Sequence, residues 1–515
     1  MTDQKAPSLP GWWDRRVGRF EDWGNFFFDM RSGRRAGLLR LVVLAGFYLV
    51  GIYLWGIFFS WGNISFDFLD WAEVTGPRYA LLQDAARTNQ FPLHAADPSG
   101  LRSVTDRYLS IADTPLSPQF YLLRYLSMGA FTFWNTILFY TLGYLGLLLL
   151  YRKYRLSLWV FAILFLLFSF NGSMTTHIAV GHANWSAQYL LPYFIYLVLG
   201  LLERGRASWN WMLGLAGTLV LILLQGHFHL YVWCLLFLGF LAIFNPRILR
   251  PVLLGILFTI LISLPRLLPP ALVLQSITHK YLGGFTSLLD LVNGLAALRD
   301  PDLVAGLFPT SIFPLNGWEL DFYLGLAGAL LVAWYGLYLP ASEHIRLLDS
   351  RAKVSITGVL LPCAAMVILS LGNAFELLVK VLPVPPLTGE RVTSRILIVP
   401  LSFLLVLAAV YLQRWLNTAA QNRPQGRLNG WMIWGLVGLA LIIFHDLNRH
   451  LQAWGIRYLD QLVYLFPKVP FNPAQHMVGN HADPTYTNLM LAGLFVSGLT
   501  LTVVMVMAVR SRKST

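Results

Sequence analysis

Twelve apolar stretches of about membrane-spanning length constrain this chain more than any other feature. They run near 37–60, 128–150, 157–171, 185–202, 208–225, 228–245, 251–269, 321–340, 354–372, 395–413, 429–446 and 487–509. With 56% of its residues hydrophobic and only 12% charged, the chain carries about half the charge of an average soluble domain. The expected fold is therefore an all-α polytopic membrane protein of about twelve transmembrane helices. A formal charge of +13 does not point to nucleic acid, because the basic residues are scattered over short breaks between apolar runs and form no patch. Cys234 and Cys363 both lie inside apolar runs, so neither a disulfide nor a cysteine metal site is expected.

The breaks carry a second pattern. With the N-terminus placed in the cytoplasm, every even-numbered break is basic: Arg152 to Arg155, Arg204 with Arg206, Arg247 with Arg250, Arg346 to Lys353, and Arg423 with Arg427. On this register 24 of 38 Lys and Arg fall inside and 17 of 25 Asp and Glu fall outside, which an odd number of spans would spoil. No apolar leader region precedes the first run, which is expected to remain as a signal anchor. The organisation expected is a cytoplasmic amphipathic segment 1–36, a transmembrane domain 37–510 and a cytoplasmic tail 511–515. Long outer loops fall at 61–127, 270–320, 373–394 and 447–486. Ten of eleven histidines map to that outer side, so the spans read as scaffold and the outer loops as the working part.

Four constellations there carry candidate chemistry. In SFDFLDWAEV a helix would put Asp67 and Asp70 on one face with Glu73 slightly off it. A solvated loop is the plain reading of such acids. The interleaved Phe66, Phe68, Leu69 and Trp71 would instead hold them at a half-apolar interface, where a carboxylate serves as a base; the sequence does not choose between Asp67 and Asp70. NGSMTTHIAVGHANWSAQYLLP places His177 and His182 around Gly181, and QGHFHLY places His227 and His229 in a tight turn between two spans. Five residues apart, His177 and His182 do not suit a helical metal pair, with hydrogen bonding at the interface as their plain reading, and an HxH between helices does not suit a metal either, so no metal ligands are assigned; hydrogen bonding to a phosphate or sugar fits His227 and His229 better. In PVPPLTGERVTSRILIVP, Arg391 and Arg395 stand i, i+4 at the start of a span, a suitable phosphate site, with a pair to Glu390 as the alternative. Arg266, His279 and Lys280 would add outer positive charge.

In order along the chain, PRYALLQDAARTNQFPLH, DTPLSPQFYLLRYL, VGHANWSAQYLLPYFIYLVL, LLQGHFHLYVW, LPRLLPPALVLQ, DFYLGLAGALLVAWYG and ERVTSRILIVPLSFLLVLA follow the first span and its acidic loop. This succession resembles the GT-C superfamily of multi-span glycosyltransferases, especially its bacterial YfhO-like members, over about residues 60 to 413. The resemblance implies a sugar transferred from a polyprenyl-phosphate donor, at the outer face of a bacterial plasma membrane, to a glycan, lipid or protein acceptor. It implies Asp67 or Asp70 as the base and Arg391 and Arg395 at the donor phosphate; the residues themselves, apart from the resemblance, add His182, His227 and His229 as candidates for donor binding. The chain departs from the family in reading DFLD instead of an adjacent acidic pair and in ending RSRKST after its last span, which leaves acceptor and divalent-metal dependence open. The competing expectation is a non-catalytic scaffold subunit or a lipid or sugar transporter. A transporter would be expected to carry charged residues at mid-span, and the sequence has few.

Overall fold

The computed structural model describes the chain except residues 1–11, 29–33, 102–104, 274–280, 302–316, 349–354, 384, 424–426, 464–465, 471–476, 480 and 514–515. His279 and Lys280 lie outside the described residues. Each of the twelve apolar stretches falls mostly on helices among the described residues. Among the described residues nine are long and apolar enough to cross a membrane, and Trp209–Leu224, Phe228–Phe244 and Ile356–Ser370 are shorter apolar helices. The chain is an all-α, multi-pass membrane protein; its only described sheet is a two-residue antiparallel pair.

Burial sorts these helices into a centre and a rim. Leu158–Ala179 and Thr393–Gln421 have 94% of their apolar window buried within the protein, against 17% for Pro484–Arg510. Rim helices expose residues such as Trp431, Phe495 and Leu441, as lipid-facing surfaces do.

Contacts between helix ends fall into two sets, and the sets match the charge alternation. One face joins Ser157 N to Gln413 Oε1 (2.7 Å), Asn245 Nδ2 to the Gly358 carbonyl (3.0 Å) and Leu428 N to Asn25 Oδ1 (2.8 Å). This is the basic face. There Trp12–Phe28 docks on Gly430–Ala453, with Phe20 stacked on Trp434 at 4.0 Å and Asp22 paired to Arg427. The opposite, loop-rich face joins Leu116 N to the Leu224 carbonyl (2.7 Å), Arg266 to the Leu109 carbonyl (3.0 Å) and His450 to Asp321 (2.9 Å). Its first loop is folded rather than loose: Trp71–Thr75 runs into the helix Gly76–Thr88, followed by short helical turns up to Pro118–Arg124.

The central helix Leu158–Ser169 stops at Phe170, and Asn171 caps a new helix, Gly172–Ala179, by accepting from Met174 N at 3.2 Å. The break lets the backbone of residues 321–323 press in: Gly172 N donates to the Tyr323 carbonyl at 2.9 Å, and a Cβ on Gly172 would lie 2.0 Å from Asp321 Oδ1. This close approach carries Glu319 and Asp321 into the interior of the loop-rich face.

Candidate functional site

The turn after that helix fixes the first candidate residues. Gly181 has φ +111°, a conformation that side chains with a Cβ avoid, and its missing Cβ would sit 2.3 Å from Trp71 N. Around it, Asp70 N donates to the Val180 carbonyl (3.1 Å), Trp71 Nε1 to the Ala179 carbonyl (2.8 Å) and Thr75 Oγ1 to the Gly181 carbonyl (2.5 Å). Clamped in this way, Asp70 Oδ2 meets His182 Nε2 at 2.6 Å.

Asp67 goes elsewhere. Phe66 and Leu69 adopt φ +55° and +45°, which breaks the helical register assumed for SFDFLD, so Asp67 and Asp70 do not share a face. Asp67 Oδ1 accepts from Ser65 Oγ at 2.5 Å and Lys468 Nζ at 3.1 Å, and Lys468 also pairs with Asp460. Burial raises the Asp67 carboxyl, but Ser65 and Lys468 outweigh it and hold the group below its usual value. A cavity of about 380 Å³ lined by Ser60, Asn63, Ser65 and Asp460 lies beside this cluster.

From His182 the arrangement runs inward through aromatic faces. The His182 ring is 5.0 Å from Trp185, and Trp185 stacks on His177 at 4.4 Å and on His227 at 4.2 Å. The Arg395 guanidinium lies over Trp185 at 5.1 Å, a cation–π contact, and within electrostatic reach of Asp70. Glu319 holds Arg395 in a fork, with Nε to Oε2 at 2.6 Å and Nη2 to Oε1, and its Oε2 also meets His177 Nε2 at 3.1 Å. This fork takes two of the five guanidinium donors. Glu319 is not among the residues the sequence singles out; its signal there is an acid at the mouth of an apolar run, in NGWELDFYLG.

Arg391 does not join Arg395. The chain is not helical until Thr393–Leu397, so the i, i+4 relation expected of the two arginines does not form; Arg391 is exposed and Arg395 is not. The alternative pairing with Glu390 does not form either. Glu390 instead accepts from Trp233 Nε1 at 2.8 Å and meets His229 Nδ1 at 3.0 Å. Burial pushes Glu390 up, and His229 and Arg395 pull it below the ordinary carboxylate value. His227 is fully buried, with no hydrogen-bond partner on either ring nitrogen among the described residues; burial, His229 and Arg395 push it well below the usual imidazole value. Arg78 grips Asp113 with two bonds of 3.1 Å, and although the Asp113 side chain is 40% accessible, the nearby chain's desolvating pull is outweighed by that guanidinium, which keeps its carboxyl low. Both Nη groups of Arg266 bond the carbonyls of the loop at Leu109 and Thr114, so these donors hold a loop rather than a ligand.

The structure thus brings Asp70, His182, His227, His229 and Arg395 into one cluster and leaves Asp67 and Arg391 outside it. Within that cluster Asp70 and His182 form a partly exposed edge, with side chains 26% and 15% accessible, while the His177 and Glu319 side chains are 0% and 8% accessible. The arrangement offers an accessible proton acceptor beside a guanidinium that, at 15% side-chain accessibility, reaches the same edge. Compared with protein-family models, curated proteins and solved structures, the chain matches none.

Proposed function

We propose that this protein is a membrane-embedded glycosyltransferase of the GT-C kind, with twelve spans and its loop-rich face outward from a bacterial plasma membrane. Its donor is a polyprenyl-phosphate sugar. The observation that carries the reading is the convergence of Asp70, His182 and Arg395 around Trp185.

In this reading Asp70 takes the proton of the acceptor hydroxyl, and its bond to His182 steadies the carboxylate. The acceptor oxygen forms a bond to the anomeric carbon as the bond from that carbon to the phosphate oxygen breaks. The polyprenyl phosphate leaves with its charge met by the donors of Arg395 that Glu319 does not use; exposed Arg391 meets the headgroup on its approach. His227 and His229 back the site from beneath. Asp67 is the poorer base, since Lys468 and Ser65 already stabilise its ionised form.

Base activation of this kind contributes about 10²–10⁴-fold. Membranes holding the parent chain and supplied with a panel of radiolabelled polyprenyl-phosphate sugars should consume one of them. Asp70→Asn should then slow transfer by about that factor and Asp67→Asn should leave it near the parent rate. Transfer at the parent rate by Asp70→Asn would remove Asp70 as the base. Arg395→Ala with undiminished donor binding would remove the phosphate site.

A further inference from the structure

On the same face, away from Asp70, the first and last loops meet at a two-residue antiparallel pair, His94–Ala95 against Val478–Gly479. Beside it, His94, His481 and Asp483 each present a ligand atom within 4.8 Å of the others. His94 is buried; its Nδ1 faces Asp106 Oδ2 at 3.2 Å, and its Nε2 is buried without a hydrogen-bond partner among the described residues. The His481 ring lies 3.9 Å from that of His94, and its Nε2 faces the same Asp106 oxygen at 3.2 Å. Asp483 is held in place by Arg107 Nε at 2.5 Å and Tyr486 N at 3.2 Å. A cavity of about 480 Å³ is lined by Asp106, Arg107, His481 and Asp483.

We propose that His94, His481 and Asp483 form a divalent-metal site of the zinc class. Two imidazoles and one carboxylate are a nitrogen-rich set that suits zinc and its neighbours, whereas magnesium and calcium prefer oxygen alone. Asp106 supplies the outer carboxylate that such sites use to fix a ligand imidazole: with a proton on Nδ1 directed at Asp106, His94 keeps a lone pair on Nε2. Two carboxylates against one guanidinium leave the pocket net negative with neutral imidazoles, which favours a cation. Three protein ligands leave a fourth position for water or a ligand from the cavity. The ion also joins the first loop, which carries Asp70, to the segment before the last membrane helix. Sequence spacing conceals the set, because its members come from opposite ends of the chain and are brought together by strands too short to show a pattern.

The test uses the full chain purified in detergent, stripped with a chelator and titrated with Zn²⁺, and separately with Co²⁺ for its visible spectrum. The expected result is one tight Zn²⁺ per chain and Co²⁺ bands of a four- or five-coordinate site. His481→Ala, which removes an exposed ring and should leave the fold intact, should weaken Zn²⁺ by about 100-fold or more, and Asp106→Asn by about 10–100-fold. His344→Ala, on the basic face, should leave binding at the parent value. Equal Zn²⁺ affinity in the parent and His481→Ala, or no Zn²⁺ retained by the parent, would overturn the proposal.

Discussion

Asp67 and Asp70 are three residues apart and occupy opposite kinds of environment. Asp67 sits at a surface cluster with Ser65, Asp460 and Lys468, where its charge is balanced in reach of water. Asp70 faces a histidine at the rim of a network that continues through Trp185, His177, Arg395 and Glu319 into the protein. The first arrangement is a loop fastener, replaceable at small cost. In the second, charges removed from solvent depend on one another, so a change at one is felt at the rest.

The largest effect expected from breaking this contrast comes from the buried end. Glu319→Gln removes the carboxylate that forks Arg395 and leaves the more distant Glu390 and Asp70 to balance it; one-sided loss of a buried pair costs up to about 3–5 kcal/mol. Thermal unfolding of the purified variant should show it, and Arg395→Met added to Glu319→Gln should recover part of the loss, because the double change removes the stranded charge. A Glu319→Gln variant as stable as the parent would mean that the network is not coupled as its geometry implies.

Gly181→Ala probes the clamp that separates the two acids. Its φ of +111° and the 2.3 Å approach to Trp71 N leave a methyl group no room without moving the segment that carries Asp70. Strain of this kind costs about 1–3 kcal/mol. The distinguishing readout is activity: under the transferase reading, transfer should fall as it does for Asp70→Asn while the Asp67 cluster stays intact. A Gly181→Ala chain that is fully active would show that the Asp70–His182 contact is not used.

Part of this contrast was legible in the sequence. The apolar periods and alternating basic breaks located the helices and sorted their ends, because lipid forces backbone polar groups into helices and charge follows topology. Residue type and position on the loop-rich face point to Asp70, His182 and Arg395. The rest depended on local backbone conformation or distant partners. Left-handed Phe66 and Leu69 overrode the helical spacing of Asp67 and Asp70, and a non-helical Arg391 broke the spacing with Arg395. Arg395 took Glu319 in place of the nearer Glu390, since the break at Gly172 lets the Glu319 segment in. No single-sequence pattern points from Asp67 to Lys468.

The smallest effect belongs to Asp67, and its sign with pH separates a fastener from a coupled network. The Asp67 carboxyl titrates lower in the folded chain than in the unfolded one, where an Asp titrates near about 3.9. Its contribution is therefore complete above that unfolded value and disappears as pH falls through the lower folded value. Because a third of the side chain is open to solvent, the contribution should stay below about 1 kcal/mol. Asp67→Asn should unfold slightly earlier than the parent at pH 7, and the gap should narrow steadily as pH falls below the unfolded value of about 3.9 and shrink in high salt at pH 7. A gap of several degrees that persists in salt would place Asp67 in a buried network of its own and erase the distinction from Asp70.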